Sequence, residues 1–291
     1  MIRYPIASED LLALINARNA TWISRAEART KDYASTGDYT GGTEFWGQIK
    51  QVYITLQHEK CAYCETKLQG AMLASKVHEV EHYRPKSSVK RWPDRKVEYW
   101  KDFPDTWPLG ADSEKGYYLL AYHPHNYAIA CTRCNSTLKS NYFPVRGKRN
   151  VDGGFPEQMR SELPLLCYPI ASVDPDDPED LITFDGPLAQ ARYPSGPKHE
   201  RAVTNIAFFQ LNHEDLVLRR SEEITNLWDA LEIFNSNANQ IKKDRAAKKI
   251  DSMRSPTHQF SACLNAFYTL YATNYKKAEE LADLIFKALP A

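Results

Sequence analysis

The sequence has no excess charge of either sign, since 37 Lys and Arg residues balance 37 Asp and Glu residues among 291. A histone-like or arm-type nucleic-acid binder carries a large basic excess, so the balance excludes that class. The chain also lacks any run near the ~20 consecutive apolar residues of a membrane span, and Met1–Pro5 does not open a secretion signal. With 43% hydrophobic residues it is not a disordered chain. We therefore expect a folded, soluble, cytoplasmic protein without a membrane partner.

Cysteine is scarce as well, because six residues in a chain of this length are too few for a disulfide scaffold. Four of them nonetheless form two C-x2-C pairs, Cys61 with Cys64 and Cys131 with Cys134. Each such turn points two thiolates at one ion, so the two pairs together predict a tetrahedral structural Zn²⁺ site. A single pair would also suit a redox dithiol, whereas two pairs disfavour that interpretation.

Hydrophobic periodicity and composition divide the chain into four segments. Residues 1–60 show helical patterns, and residues 61–149 contain both cysteine pairs and a long inserted loop. Residues 150–198 are acidic and rich in Pro and Gly, so we expect irregular structure there. Residues 199–291 are helical by period, with two helices beyond Pro256 and with Cys263 as a buried thiol of the core.

The same periodicity predicts individual elements. One helix is expected from Glu9 to about Arg29, with Ser8 as its N-cap, and a second from about Glu44 to His58. Shorter elements are expected around the cysteine pairs, namely strands over Val77–Tyr83 and Tyr127–Ala130 and a helix over about Asn135–Tyr142. The sequence thus predicts a mainly α protein of the α+β class.

A further group of polar residues lies between and after the cysteine pairs. It comprises Glu81-His82-Tyr83-Arg84-Pro85-Lys86-Ser87, then Asn126, and Asn135 directly after Cys134. Together with Cys61-Ala62-Tyr63-Cys64-Glu65 and Phe143-Pro144, this group resembles the HNH endonuclease family in its zinc-stapled form. The likeness spans about residues 45–220 and points to the branch found with retrons and in Septu-type antiphage systems. It implies a small ββα-metal (HNH) core stapled by the zinc site of four cysteines.

The resemblance implies a role for each polar residue of the group. His82 would be the general base, because an unperturbed imidazole with a pKa near 6.5 can accept a proton from water at neutral pH. Glu81 and Asn135 would offer hard oxygen ligands to one catalytic Mg²⁺ or Mn²⁺. Asn126 would hold the loop that carries His82 by hydrogen bonds to backbone. The zinc would take no part in catalysis and would fix both edges of the ββα unit.

Three basic side chains are predicted to contact the substrate. Arg84 and Lys86 follow His82 closely, which favours contact with phosphate. Where the family has a Lys three residues after the last Asn, this chain has Leu138, and Lys139 comes one place later. Lys139 is at i+4 from Asn135 and shares its helix face, so it can still reach a phosphate. The chain departs from the family once more at Glu81, where Asp is usual.

The function implied by the resemblance is that of a metal-dependent endonuclease that hydrolyses DNA. It would serve antiphage defence beside an ABC-type ATPase partner. RNA such as tRNA stays open as a substrate, because one ββα site hydrolyses either backbone. A different class also stays open, in which the zinc staples a non-catalytic scaffold that recruits another enzyme.

The neutral total conceals an uneven distribution of charge. Residues 76–149 hold 14 basic and 8 acidic side chains, whereas residues 150–200 hold 3 and 10. The basic segment predicts modest, salt-sensitive affinity for nucleic acid. Its loop Lys86–Lys115 includes Trp92 and Trp100, which suits either a groove that stacks bases or a lid that packs its own tryptophans. The acidic stretch Asp174–Asp180 is expected to face away from the substrate, to meet a partner, or to cover the site as a brake.

Overall fold

The computed structural model describes residues 1–68, 79–104, 108–171 and 173–289. The helices in these ranges are α1 (Ser8–Arg18), α2 (Trp22–Thr36), α3 (Lys50–Leu56), α4 (Pro178–Leu181), α5 (Gly196–Phe208), α6 (Glu214–Asn235), α7 (Gln240–Arg254), α8 (Ser261–Thr273) and α9 (Tyr275–Ala288). The strands are β1 (Glu79–His82), β2 (Tyr127–Ala130), β3 (Ile182–Asp185) and β4 (Leu188–Ala191). The predicted mainly α, α+β class is confirmed. No described helix combines the length and apolar character needed to cross a membrane.

The N-terminal segment contains two helices where the sequence predicted one, because Asn19 ends the first. Its Oδ1 accepts hydrogen bonds from the backbone N–H (3.2 Å) and the hydroxyl (3.1 Å) of Thr21, which favours a turn over a continued helix. The predicted N-cap was wrong by one residue, since Ser8 is already helical and Ala7 precedes it. The second predicted helix begins as a 3-10 turn over Trp46–Ile49 and continues as α3.

Strands β1 and β2 pair antiparallel, with Glu81 opposite Ala128 and His82 opposite Tyr127. β2 has the predicted bounds, and all four of its residues are buried. Residues 77–78 of the predicted first strand lie outside the described ranges. This small sheet therefore places the residues of interest at the end of β1, against the start of β2.

The chain leaves β2 through a helical segment with π geometry, Arg133–Lys139, where a short helix from Asn135 was predicted. The backbone N–H of Ser140 donates over five residues to the carbonyl oxygen of Asn135 (2.8 Å), which is the wide turn of a π-helix. Ser140 then takes a positive φ of 38°, so the segment ends before the predicted Tyr142. β2 and this helical segment thus flank the second cysteine pair, and β1 pairs with β2 from across the long loop.

The acidic segment is more regular than expected. It contains α4 and a hairpin of β3 and β4, in which Ile182 pairs with Ala191 and Asp185 pairs with Leu188. Gly186 in the tight turn has φ 56°, a left-handed conformation that glycine adopts without strain. The sequence signal was weak because the flanking run Asp174–Asp180 is rich in Pro and Asp.

The C-terminal segment is helical as predicted, and both helices beyond Pro256 are present. The periodicity missed α7, because this helix buries only Ala246, Ile250 and Met253 and is mostly polar elsewhere. Its start is set by Asn239, whose side chain accepts a hydrogen bond from the backbone N–H of Lys242 (3.1 Å). Sparse apolar positions on a long polar helix give little periodic signal.

Apolar side chains from all four sequence segments pack into one continuous core. The loop after β1 contributes Trp92 and Trp100, whose rings lie 5.8 Å apart and both contact Phe208 of α5, at 5.3 and 5.5 Å. Both tryptophans are fully buried, so the loop packs them inward and does not offer them to a nucleic acid. Cys263 is also fully buried, as predicted.

Three carboxylates of the acidic stretch form ion pairs with arginines of the fold. Arg201 of α5 donates to Asp174 (2.6 and 2.9 Å) and to Asp176 (2.7 Å), and Arg3 pairs with Asp177 (3.2 Å). The Asp174 side chain is 2% exposed. These ion pairs tie the first part of the stretch to the fold, whereas Glu179 and Asp180 in α4 stay exposed.

Replacing Arg201 by Ala should lower the free energy of unfolding by about 3–5 kcal/mol, because two carboxylates lose their counter-ion in a buried setting. The matched control is Lys198→Ala, since the Lys198 ammonium is 4.0 Å from Asp176 and the side chain is 43% exposed. That change should cost less than about 1 kcal/mol. Urea unfolding followed by circular dichroism compares the two variants, and equal midpoints would contradict the structural role of the network.

Candidate functional site

Four cysteines from two distant parts of the chain come together in one cluster. Cys61 and Cys64 follow the end of α3, whereas Cys131 and Cys134 follow β2. Their Sγ atoms all lie within 4.8 Å of one another, and those of Cys64 and Cys131 are 3.8 Å apart. A tetrahedron with Zn–S bonds of about 2.3 Å has edges of about 3.8 Å, so the thiols fit a zinc ion. The cluster that the sequence predicted is present and could hold zinc.

Backbone and side-chain contacts hold the first cysteine turn in place. The N–H of Ala62 donates to the carbonyl oxygen of Ile129 in β2 (3.0 Å). Glu65, directly after Cys64, is buried and accepts from the Lys60 ammonium (3.3 Å) and the Ser261 hydroxyl (3.1 Å). The turn is thus anchored to β2 on one side and to the start of α8 on the other.

His82 is the last residue of β1, and its ring is only 8% exposed. Its Nε2 lies 3.0 Å from the carbonyl oxygen of Ala121. A carbonyl oxygen only accepts, so Nε2 carries the hydrogen and Nδ1 keeps a free lone pair. Burial lowers the pKa of His82 well below its usual value, and the charges of Lys86 and Lys139 add to this effect. The ring is therefore a neutral imidazole with one basic nitrogen.

Asn126 is fully buried beside the turn that follows β1. Its Oδ1 accepts from the backbone N–H of Arg84 (2.7 Å), and its Nδ2 donates to the carbonyl oxygens of Arg84 and Leu120 (3.0 Å each). The carbonyl oxygen of Asn126 itself accepts from the N–H of Tyr83 (2.9 Å). These backbone contacts are of the kind expected for Asn126, and they fix the two residues that follow His82.

Glu81 forms a buried ion pair with Lys139, whose Nζ is 3.2 Å from Oε1. The Lys139 ammonium is fully buried and also lies 3.4 Å from the carbonyl oxygen of His82. Burial lowers the pKa of Lys139, and the Glu81 carboxylate opposes that effect. The prediction placed Lys139 on a phosphate, but here it faces inward because Glu81 is its counter-ion. A phosphate contact would require this pair to open.

Asn135 lies on the π-helical segment, directly after Cys134, and its side chain is half-buried. Its backbone N–H donates to the carbonyl oxygen of Cys131 (2.9 Å). The same segment carries Lys139, which meets Glu81. The segment that bears Asn135 is therefore packed against the strand that bears Glu81.

Arg84 is also turned inward, and only 3% of it is exposed. Its Nε donates to Glu162 (3.1 Å), a buried carboxylate that also accepts from the Tyr117 hydroxyl (2.8 Å) and the N–H of Asn150 (2.6 Å). Its charge is therefore already compensated, and contact with a substrate phosphate would require this pair to open. The phosphate contact of Arg84 was predicted from its closeness to His82 in the sequence, and closeness in sequence does not show whether a side chain is buried.

Trp46 belongs to the candidate site, although the sequence pattern indicated only an apolar position in the helix predicted from about Glu44 to His58. Its ring packs edge-to-face on His82, with centroids 4.7 Å apart. The Nζ of Lys86 lies 4.7 Å from the Trp46 centroid and 5.5 Å from that of Tyr39. Lys86 is partly exposed, so it is the one of the three predicted phosphate contacts that faces outward. No spacing rule links Trp46 to His82, which lies far along the chain.

The fold and the cluster define a mainly α protein with a small antiparallel sheet beside four thiols that could hold zinc. Among curated proteins, the chain is similar to Septu protein PtuB of Bacillus mycoides (strain KBAB4), with 30% identity over 174 residues. The alignment covers 60% of this chain and 50% of that protein, so the chain spans about half the length of the relative it matches. No protein-family model and no solved structure matches the chain. The similarity supports a Septu-type relationship.

Proposed function

We propose that the chain is a metal-dependent endonuclease of the HNH type, acting on DNA as the nuclease of a Septu-type antiphage system. The observation that carries the proposal is the neutral His82 at the end of β1, with its Nε2 held by Ala121 and its Nδ1 left basic. Glu81 stands next to it, and the cysteine cluster lies at the end of the paired strand. The similarity to PtuB supports the role in defence.

Each side chain of the candidate site has a separate role in phosphodiester hydrolysis. His82 accepts the proton of the attacking water at Nδ1, and the bond from Nε2 to Ala121 keeps that tautomer in place. Glu81 and Asn135 offer a carboxylate and an amide oxygen, a donor set that fits Mg²⁺ or Mn²⁺. When bound there, such a cation supplies positive charge against the charge that develops on phosphorus and the leaving oxygen. Asn126 positions the turn after His82 and touches no substrate.

Contact with the phosphate backbone of the substrate is assigned to Lys86. This residue is partly exposed, and its charge lies close enough to His82 to lower the pKa of that ring. Arg84 and Lys139 act in this scheme as internal counter-ions to Glu162 and Glu81. The zinc is structural and joins the end of α3 to the end of β2. The partner is an ABC-type ATPase of the same defence system, which restrains or triggers cleavage.

A cleavage assay tests the proposal. The purified chain, alone and with its ATPase partner, is incubated with supercoiled plasmid and with tRNA in Mg²⁺ or Mn²⁺, and EDTA is the control. Nicked or linear plasmid that disappears with EDTA supports a DNA endonuclease. Cleavage of tRNA alone would make RNA the substrate. No cleavage of either with the partner present would favour a non-catalytic zinc-stapled scaffold.

Trp46→Ala should lower the cleavage rate about 10- to 100-fold, because the His82 ring loses the edge-to-face contact that fixes its plane. Trp46→Phe keeps an aromatic edge at this position and should restore most of the rate. Single-turnover cleavage rates of the two variants are compared at saturating Mn²⁺, with circular dichroism as the check on folding. Full activity of folded Trp46→Ala would remove Trp46 from the site.

A further inference from the structure

A cavity of about 220 Å³ lies between the turn after β1, residues 156–165, residues 173–176 and the start of α5. We call it the Leu165 cavity, and its apolar wall includes Tyr83, Leu165, Tyr168 and Val173. The rings of Tyr83 and Tyr168 pack 5.0 Å apart at a tilt of 43°. Since an engineered apolar cavity of about 150 Å³ holds benzene, this space suits one planar ring system.

The rim of the cavity is rich in arginine. Arg84, Arg146, Arg160 and Arg201 line it, against the two carboxylates of Asp174 and Asp176. Arg84 pairs with Glu162, and Arg146 pairs with Glu200. Arg160 is exposed and has no ion pair among the residues that the structure describes. An exposed guanidinium without a carboxylate partner can donate to two oxygens of an anion such as phosphate.

Arg201 lines the cavity with a guanidinium that is already held by the fold. It is 8% exposed, and its two terminal nitrogens are taken by Asp174, Asp176 and the carbonyl oxygen of Leu166. Its Nε is buried, and within the described ranges it has no hydrogen-bond partner. Because this nitrogen has almost no accessible surface, a ligand in the cavity would not contact it, and Arg201 contributes to the cavity as a fixed part of its wall.

Leu163 lines the cavity and exposes most of its apolar side chain. It has φ 50° and ψ 62°, a left-handed conformation that a leucine rarely takes, and 57% of the side chain is exposed. Leu163 ends the 3-10 turn Arg160–Glu162, and its backbone N–H donates to the carbonyl oxygen of Arg160 (3.0 Å), which accounts for this conformation. The exposure of a large apolar side chain beside the cavity is the feature that a bound ligand would change. A ligand ring in the cavity would cover the Leu163 side chain.

We propose that the Leu165 cavity binds a small aromatic phosphate, with the ring between the apolar walls and the phosphate at the Arg160 rim. This chemistry is shared by a free nucleotide and by an aryl phosphate. This binding proposal does not rest on the nuclease activity proposed above. The cavity and His82 are nevertheless neighbours in the chain, because Tyr83 and Arg84 of the cavity wall directly follow His82.

Binding is tested by isothermal titration calorimetry and by protein NMR shifts with four probes. AMP and phenyl phosphate carry ring and phosphate, adenosine carries only the ring system, and inorganic phosphate carries only the anion. AMP or phenyl phosphate should bind at least about tenfold more tightly than adenosine or inorganic phosphate, because the ring and the phosphate each contribute to the binding free energy. Whichever of AMP and phenyl phosphate binds more tightly shows whether the natural ligand is a nucleotide or an aryl phosphate.

Two variants locate the binding. Leu163→Asn removes the apolar rim but accepts the left-handed conformation, so it should be at least as stable as the parent while binding about tenfold more weakly. Arg160→Ala should weaken binding of the phosphate probes about tenfold and leave adenosine unchanged. The control is Arg245→Ala, an exposed arginine on α7. Four outcomes would each overturn the proposal: no binding by either aromatic phosphate, equal affinity for inorganic phosphate, equal affinity for adenosine, or affinities unmoved by Leu163→Asn and Arg160→Ala.

Discussion

Replacing Cys61 by Ser is expected to abolish both zinc binding and cooperative folding of the chain. Cys61 is fully buried, and the cluster joins the turn after α3 to the end of β2. Structural zinc contributes about 10–16 kcal/mol to the folding of small zinc peptides, whereas whole domains are stable by only about 5–15 kcal/mol. Losing one thiolate should therefore exceed the stability of the fold. Elemental analysis should show the zinc content falling from about one ion per chain to near zero, with loss of the thermal transition.

The remaining two cysteines provide the matched control. Cys167 and Cys263 are as deeply buried as Cys61 but lie outside the cluster. Cys263→Ser should cost roughly 1–3 kcal/mol, because a hydroxyl replaces an apolar thiol in the core, and the zinc content should stay unchanged. A chain that holds no zinc when purified without chelator, or a Cys61→Ser variant as stable as Cys263→Ser, would contradict the structural zinc.

The cysteine cluster could be predicted from the sequence because a C-x2-C turn is a local device. Each turn determines the direction of its own two thiolates, and only one distant contact is then needed to unite the pairs. The same locality explains why β2 has its predicted bounds and why the two last helices were found. Patterns that repeat within a few residues are readable before any tertiary contact is known.

The surroundings of the site could not be predicted, because they depend on contacts between distant parts of the chain. Trp46 meets His82 only after the N-terminal helices pack on the small sheet. Glu162, which neutralises Arg84, comes from a segment without periodic pattern. A sequence shows that a residue is charged, but burial and a counter-ion decide whether that charge is available to a substrate. For this reason Arg84 and Lys139 were predicted outward and lie inward.

Replacing His82 by Ala is expected to lower phosphodiester cleavage by about 10²- to 10⁴-fold while leaving the zinc bound, because the variant removes the general base but none of the four thiols. The cysteine cluster does not include His82, and zinc content should therefore equal that of the parent chain. The truncated ring leaves a gap against Trp46 and Tyr127, which should cost about 1–3 kcal/mol of stability. Plasmid cleavage at equal concentrations of folded protein measures the loss, and His199→Ala is the control on a partly exposed histidine.

A second variant separates the base from the metal ligand. Glu81→Gln keeps the shape of the side chain but removes the charge, so Mn²⁺ binding measured by electron paramagnetic resonance should weaken at least about tenfold. His82→Ala should leave Mn²⁺ binding within about twofold of the parent, since the imidazole is assigned to the proton and not to the cation. If His82→Ala were folded and fully active, the role of His82 as base would be wrong. If it lost Mn²⁺ as Glu81→Gln does, the assignment of the imidazole to the proton alone would be wrong.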